Sequence, residues 1–185
     1  MKDKLKNPRF ARATSVAVLI LSLFLGTTVS INRQARRIEQ MFYDGVPDSA
    51  QGYTRPSINS QLIVRADAAL GLITAAADSG AESEISDLRA AREELLAAGS
   101  IAEKSAADAR LSRAFTALLK RVESKGGARA AELARVYSEE FDGTLGVIIS
   151  SGYNNEARVE LIRAARSFPA RIFAIDAFIN YPDPF

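Results

Sequence analysis

Two adjacent carboxylate pairs, Glu93-Glu94 and Glu139-Glu140, are the first residues in this chain that could do acid–base chemistry. Such chemistry needs carboxyl groups that face one another, and a di-metal site in a helical bundle needs carboxylates combined with Glu-x-x-His motifs. Neighbours on a helix point about 100° apart, so neither pair converges on one point. The chain also contains no His and no Cys. That removes the imidazole base, the thiolate nucleophile, disulfides and His/Cys zinc or haem sites. Both pairs are therefore expected on solvated faces. Lys125-Gly126-Gly127 lacks the full Gly-x-x-x-x-Gly-Lys-Ser/Thr spacing of a phosphate cradle, and a turn between helices explains it better. No serine stands in a Gly-x-Ser-x-Gly or Ser-x-x-Lys context. The expectation is no catalytic residue, no metal site, no cofactor, and no enzyme. The remaining candidate is Tyr153-Asn154-Asn155, followed by Ser167-Phe168-Pro169, read as a structural or interaction motif rather than a reaction centre.

The elements that would carry these residues begin with Ala13–Ile31, which holds no charged residue. At 1.5 Å per residue this run is roughly 28 Å long as a helix, close to the ~30 Å of bilayer hydrocarbon. It is expected to be an uncleaved membrane anchor. A cleaved signal peptide is the competing reading, with Val16–Leu25 as its apolar region and Thr28-Val29-Ser30 as a weak cleavage site. Lys2, Lys4, Lys6, Arg9 and Arg12 precede the run; Arg33, Arg36 and Arg37 follow it. The positive-inside rule then favours a cytoplasmic amino terminus and an extracytoplasmic bulk. Ser22, Gly26 and Ser30 form a small-residue row that could let two such helices touch, although small residues are common in membrane helices generally. The chain thus divides into a basic tail (1–12), the anchor (13–31), a juxtamembrane helix and linker (32–55) and a helical region (56–185).

Hydrophobic residues make up 48% of the chain, yet Trp is absent and Ala is abundant, so a core here is built from small side chains, which suits helices. Ile31, Ala35, Ile38 and Phe42 share one helical face, after which Gly45 and Pro47 open a linker. A helix is expected from Pro56-Ser57, with Pro in its first turn and Ile58, Leu62, Ala66, Ala69, Ile73 and Ala76 as its stripe. Asp78-Ser79-Gly80 interrupts it. The next helix carries Ile85, Leu88, Leu95 and Leu96 and closes at Gly99. Ser100 and Glu103 have capping-box spacing, ahead of Leu111, Phe115, Leu118 and Val122. A final long helix is drawn through Leu133, Tyr137, Phe141, Leu145, Ile149, Tyr153, Ala157, Leu161, Ala165 and Phe168. Gly143, Gly146 and Gly152 are expected to be packing notches on it. Short connections imply an all-α, antiparallel bundle of long helices.

With these elements in place, the chain resembles the LemA family. The resemblance rests on Tyr153-Asn154-Asn155 leading to Ser167-Phe168-Pro169, with Tyr153–Phe173 as its most specific stretch, and on Leu111-Ser112-Arg113-Ala114 running to Leu118-Leu119. Arg65 and Asp67 fit an Arg-x-Asp pattern, but Leu70-Gly71 stands where Pro-Asn is usual, and the upstream Trp is missing. The resemblance implies membrane attachment and a bundle without a defined reaction, and it also allows an extracellular amino terminus.

A net charge of +2 is too small to point to nucleic acid. The expected function is a non-enzymatic interaction or scaffold module of the cell envelope. Its partners would be the lipid bilayer through residues 13–31 and another membrane or envelope protein, with homo-oligomers allowed. The alternative is an extracytoplasmic ligand-binding or sensor bundle.

Overall fold

The computed structural model describes residues 8–48, 52–151 and 155–185. It is mostly helical: α1 (Pro8–Asp44), α2 (Ile58–Ala75), α3 (Glu82–Ala97), α4 (Ile101–Lys125), α5 (Ala128–Ile149) and α6 (Asn155–Arg166), with 3-10 turns at Ala170–Phe173 and Ile175–Phe178. Contacts divide the chain into two units. One gathers Met1–Ile38 with Glu156–Pro182, the other Glu39–Asn155 with Asp183–Phe185. Residues of the expected region 56–185 fall in both units.

In the first unit, α1 is long and apolar enough to cross a membrane. Its apolar residues Val16, Leu19, Ile20, Leu21, Leu23 and Leu25 are exposed, Leu19 by 64%. A soluble core helix would bury them. Farther along α1, whose last residues belong to the second unit, the row Ile31, Ala35, Ile38 and Phe42 is buried as its four-three-four spacing predicts. Arg33, Arg36 and Arg37 point to the exposed side.

The linker expected after Phe42 contains structure of its own. Gly45, at φ 81°, lets the chain leave α1, and Val46–Asp48 (β1) pairs antiparallel with Tyr53–Arg55 (β2), Val46 opposite Arg55. Strands this short leave no room for an alternating pattern, which is why the sequence reads as a plain linker.

The second unit is built on α2, which packs most extensively on α5 and also touches α3 and α4. Helices α3 and α4 pack on each other. The expected stripe of α2 is buried throughout, from Ile58 to Ala76. Pro56 lies before the cap rather than in the first turn: Ser57 is the N-cap, its hydroxyl accepting from the Ser60 N–H at 3.0 Å. On α3, Leu88 and Leu95 are buried but Leu96 is exposed, since adjacent residues cannot both face one partner. Gly99 does not close α3. The cap is Ala98 in an extended conformation, and the Gly99 N–H turns forward to the Glu103 carboxylate at 2.8 Å. The row Leu111, Phe115, Leu118 and Val122 of α4 is wholly buried.

The single helix expected from Leu133 to Phe168 is two helices, α5 and α6. The apolar row drawn on α5 also fails: Leu133 and Leu145 are exposed, and Ile149 is 79% exposed. A spacing of four drifts by about 40° per step relative to the 3.6-residue turn, so such a row winds off the buried face. Ala134, Phe141 and Thr144 mark the face that is buried.

Glycine placement is also revised. A Cβ added at Gly143 or Gly146 would meet nothing within 4 Å, so neither is a packing notch. Gly71 is one: its missing Cβ leaves the space filled by the Tyr137 ring. Gly71→Ala should therefore destabilise the chain by about 1–3 kcal/mol through overpacking. Gly143→Ala should instead stabilise it by about 0.5–1 kcal/mol, because it replaces Gly in an open helix position. Urea denaturation in detergent, followed by circular dichroism, checks both; equal effects of one sign would contradict the assignment.

The capping box of α4 is complete, with Ser100 Oγ accepting from the Glu103 N–H and the Glu103 carboxylate accepting from Ser100 N–H and Gly99 N–H. These backbone bonds lower the Glu103 pKa below its ordinary value of 4.5. A lowered acid pKa contributes stability present above the ordinary value and lost as pH falls through the folded one. Glu103→Gln should erase that part of the acid-side loss, and Ser100→Ala should cost about 1 kcal/mol. A pH titration of the urea midpoint reads both; an unchanged acid limb in Glu103→Gln would contradict the cap's role.

Candidate functional site

Of the motif singled out near the carboxy end, Tyr153 and Asn154 lie outside the described residues. Asn155 opens α6, and its side chain is likewise outside them. The Ser167 hydroxyl donates to the Ala164 carbonyl at 2.9 Å, a local bond that finishes the helix. Phe168 is 79% exposed, and Pro169 precedes the first 3-10 turn. Within what is described, Ser167, Phe168 and Pro169 form a helix end.

Among the described residues, polar groups converge at Arg65. Its position on α2 is fixed by Leu62 on one side and Ala69 on the other, all three on the buried stripe. Only 2% of the residue is exposed. The guanidinium directs Nε to Asp108 Oδ1 at 2.7 Å and Nη2 to Ser112 Oγ at 2.6 Å, both on α4. Nη1 reaches α5, donating to the Phe141 carbonyl and to Thr144 Oγ1, each at 3.2 Å. The Thr144 hydroxyl in turn donates to the same carbonyl at 2.7 Å. The guanidinium carbon lies 3.8 Å from the centroid of the Phe141 ring, and that ring stacks on Phe115 at 4.0 Å and 12°.

This arrangement meets the demand that a buried charge be paired and hydrogen-bonded. A lysine could not replace it, because only the planar fork reaches two helices at once while stacking on a ring. Asp108 is the one titratable partner, with 15% of its side chain exposed. Burial raises its pKa above the ordinary value, outweighing the charge and hydrogen bond of Arg65. A guanidinium does not give up its proton, and its donors here are all directed at protein oxygens of α4 and α5.

Around this centre the other charges are peripheral. Arg92 donates to the Ala66 carbonyl at 2.9 Å and approaches Asp67 at 3.9 Å, with Asp67 mostly exposed. Arg65 and Asp67, two residues apart, thus serve different faces. Glu94 accepts from Arg110 at 2.7 Å on the surface, while Glu93, Glu139 and Glu140 are exposed. Gly126-Gly127 form the turn between α4 and α5. Among the described residues no group of three or more carboxylates is arranged to hold a metal ion. A surface groove of about 370 Å³ lies beside the ends of α2 and α5, lined in part by Thr74, Asp78, Gly126 and Arg129.

The chain matches no family model, no curated protein and no solved structure.

Sequence reasoning reached Arg65 only through a family pattern. The physical signal was present: a charged residue inside an apolar stripe, with Asp108 and Ser112 spaced by four on the flank of the Leu111–Phe115 row. Arg65→Ala should cost about 3–5 kcal/mol because it strands buried oxygens, and Arg65→Met, which refills the volume but strands the same oxygens, should recover only the packing part of that loss. The raised pKa of Asp108 means that its contribution is complete below the ordinary value of 3.8 and is lost as pH rises through the folded value. The advantage of wild type over Asp108→Asn should therefore shrink from acid towards neutral pH. Urea midpoints at several pH values measure this; a loss under about 1 kcal/mol for Arg65→Ala would contradict a buried hub.

Proposed function

We propose that the chain is a membrane-anchored helical-bundle protein of the cell envelope, a non-enzymatic module that presents a rigid helical surface to another membrane or envelope protein. The observation that carries this reading is the exposed, uncharged run of α1 joined to a unit whose buried Arg65 cluster is spent on holding helices together. An exposed apolar helix of this length favours lipid as its surroundings. A polar centre committed to protein oxygens favours shape over turnover.

An antiparallel bundle is the arrangement proposed for α2–α5, supported by how side-chain contacts progress. Arg65 meets Phe141 and Thr144 while Gly71 meets Tyr137, so contacts advance along α2 and retreat along α5. Glu84 approaches Arg121 while Glu94 approaches Arg110, the same opposition between α3 and α4. Kinship with the LemA family is proposed on Arg65 and Asp67, on Leu111–Leu119 and on Tyr153–Phe173. The charge asymmetry around residues 13–31 supports a cytoplasmic amino terminus with the bundle outside.

Carbonate-washed membranes test the anchor. The chain should remain in the pellet with its first residues intact; recovery in the soluble fraction with an amino terminus near Ile31 would contradict it. Crosslinking in native membranes followed by pull-down should return a companion protein or a second copy. A chain that stays alone under every condition would contradict the interaction role.

A further inference from the structure

Within the unit that contains α1, the carboxy-terminal segment lies against the middle of the apolar run. The Phe24 ring meets Phe173 edge-on at 5.8 Å and 75°, and Phe178 at 5.9 Å and 89°. The segment has two faces. Ala170, Ile175 and Ile179 are buried, while Phe168, Ile172 and Phe178 are exposed, the last two by 68% and 61%. Three large apolar side chains left open within so short a stretch call for a cover.

The position of Phe24 identifies the cover. Phe24 lies seven residues before Ile31, or about 10 Å along the helix axis. Amphipathic elements that lie in a membrane interface sink their apolar face about 5–10 Å below the headgroups. A segment held beside Phe24 is at the depth that such elements reach from the Ile31 side. Its charged groups are compatible with this placement. Arg171 is exposed and long enough to extend towards the headgroups. Asp176 accepts from the Tyr181 hydroxyl and is paired with Arg166 at 3.5 Å. Arg163 in the last turn of α6, with Arg33, Arg36 and Arg37 on α1, gives the same unit an exposed basic character suited to anionic headgroups.

We propose that Phe168–Phe178 is a second membrane element, which does not span but lies in the interface beside α1 with Phe168, Ile172 and Phe178 among the upper acyl chains. The proposal rests on the reading of α1 as a membrane span. It makes the bilayer, rather than a protein, the occupant of this apolar face.

The absence of native cysteine permits a direct test. Full chains carrying Ile172→Cys, Phe168→Cys, Leu21→Cys or Glu93→Cys are labelled with an environment-sensitive fluorophore and reconstituted in phosphatidylcholine/phosphatidylglycerol vesicles. Lipids brominated near the headgroup or at mid-chain serve as quenchers. Leu21 reports the span itself, and exposed Glu93 on α3 is the aqueous reference. Labels at 168 and 172 should emit to the blue of the Glu93 label and be quenched most by the shallow bromolipid. If they behave like the Glu93 label while Leu21 is quenched, the span stands and this proposal falls. If they are blue-shifted without lipid quenching, a protein covers the face and the proposal falls as well. An unquenched Leu21 label would overturn both the span and the element that rests on it.

Discussion

A buried guanidinium ties together three helices of the second unit. Arg65 comes from α2, yet its hydrogen bonds end on α4 and α5, and its charged plane lies over a ring of α5 that is itself stacked on a ring of α4. A charge removed from water is tolerated only where the surrounding oxygens are already in position, so the three helices have little freedom to slide or rotate past one another. An alanine-rich core otherwise offers few features that distinguish one helix register from the next. Burying an ion pair adds little net stability, and the upward shift of Asp108 agrees with that; what the cluster supplies is specificity of packing.

Much of the architecture was legible in the residue spacing, and its failures have physical causes. Rows that alternate steps of three and four, such as Ile31–Phe42 on α1 and Leu111–Val122 on α4, are buried as read. The row on α5 took steps of four throughout and rotated away from the core, leaving Ile149 in the open. Leu95 and Leu96 show the same limit at the smallest scale: one is buried, its neighbour is not. Glycine was the least legible residue. Gly71 and Gly143 look alike in sequence, but only Gly71 has a neighbour pressed against it, and that neighbour, Tyr137, belongs to a distant helix. Composition alone cannot anticipate a partner so far along the chain.

Among the described residues the polar convergence lies at Arg65, while Tyr153 and Asn154 of the carboxy-terminal motif fall outside them. Ser167, Phe168 and Pro169 form a helix end with one exposed ring, and Arg65 was noticed for its pattern rather than its burial. Arginine is ordinarily exposed, so a charged residue within an apolar stripe is easily dismissed as a flaw in the stripe. In this chain it marks the packing centre. The two units differ in what they bury: one exposes a helix long and apolar enough to cross a membrane, and the other holds its helices by hydrogen bonds to a buried charge.

Native-state hydrogen exchange on the full chain in detergent tests the claim that Arg65 makes α2, α4 and α5 one cooperative body. The amides around Leu62–Leu72, Leu111–Leu118 and Phe141–Leu145 should be the slowest to exchange, should open with a common free energy, and should lose protection together in Arg65→Ala. Independent opening of α5, or protection in α2 and α4 that survives the substitution unchanged, would contradict it.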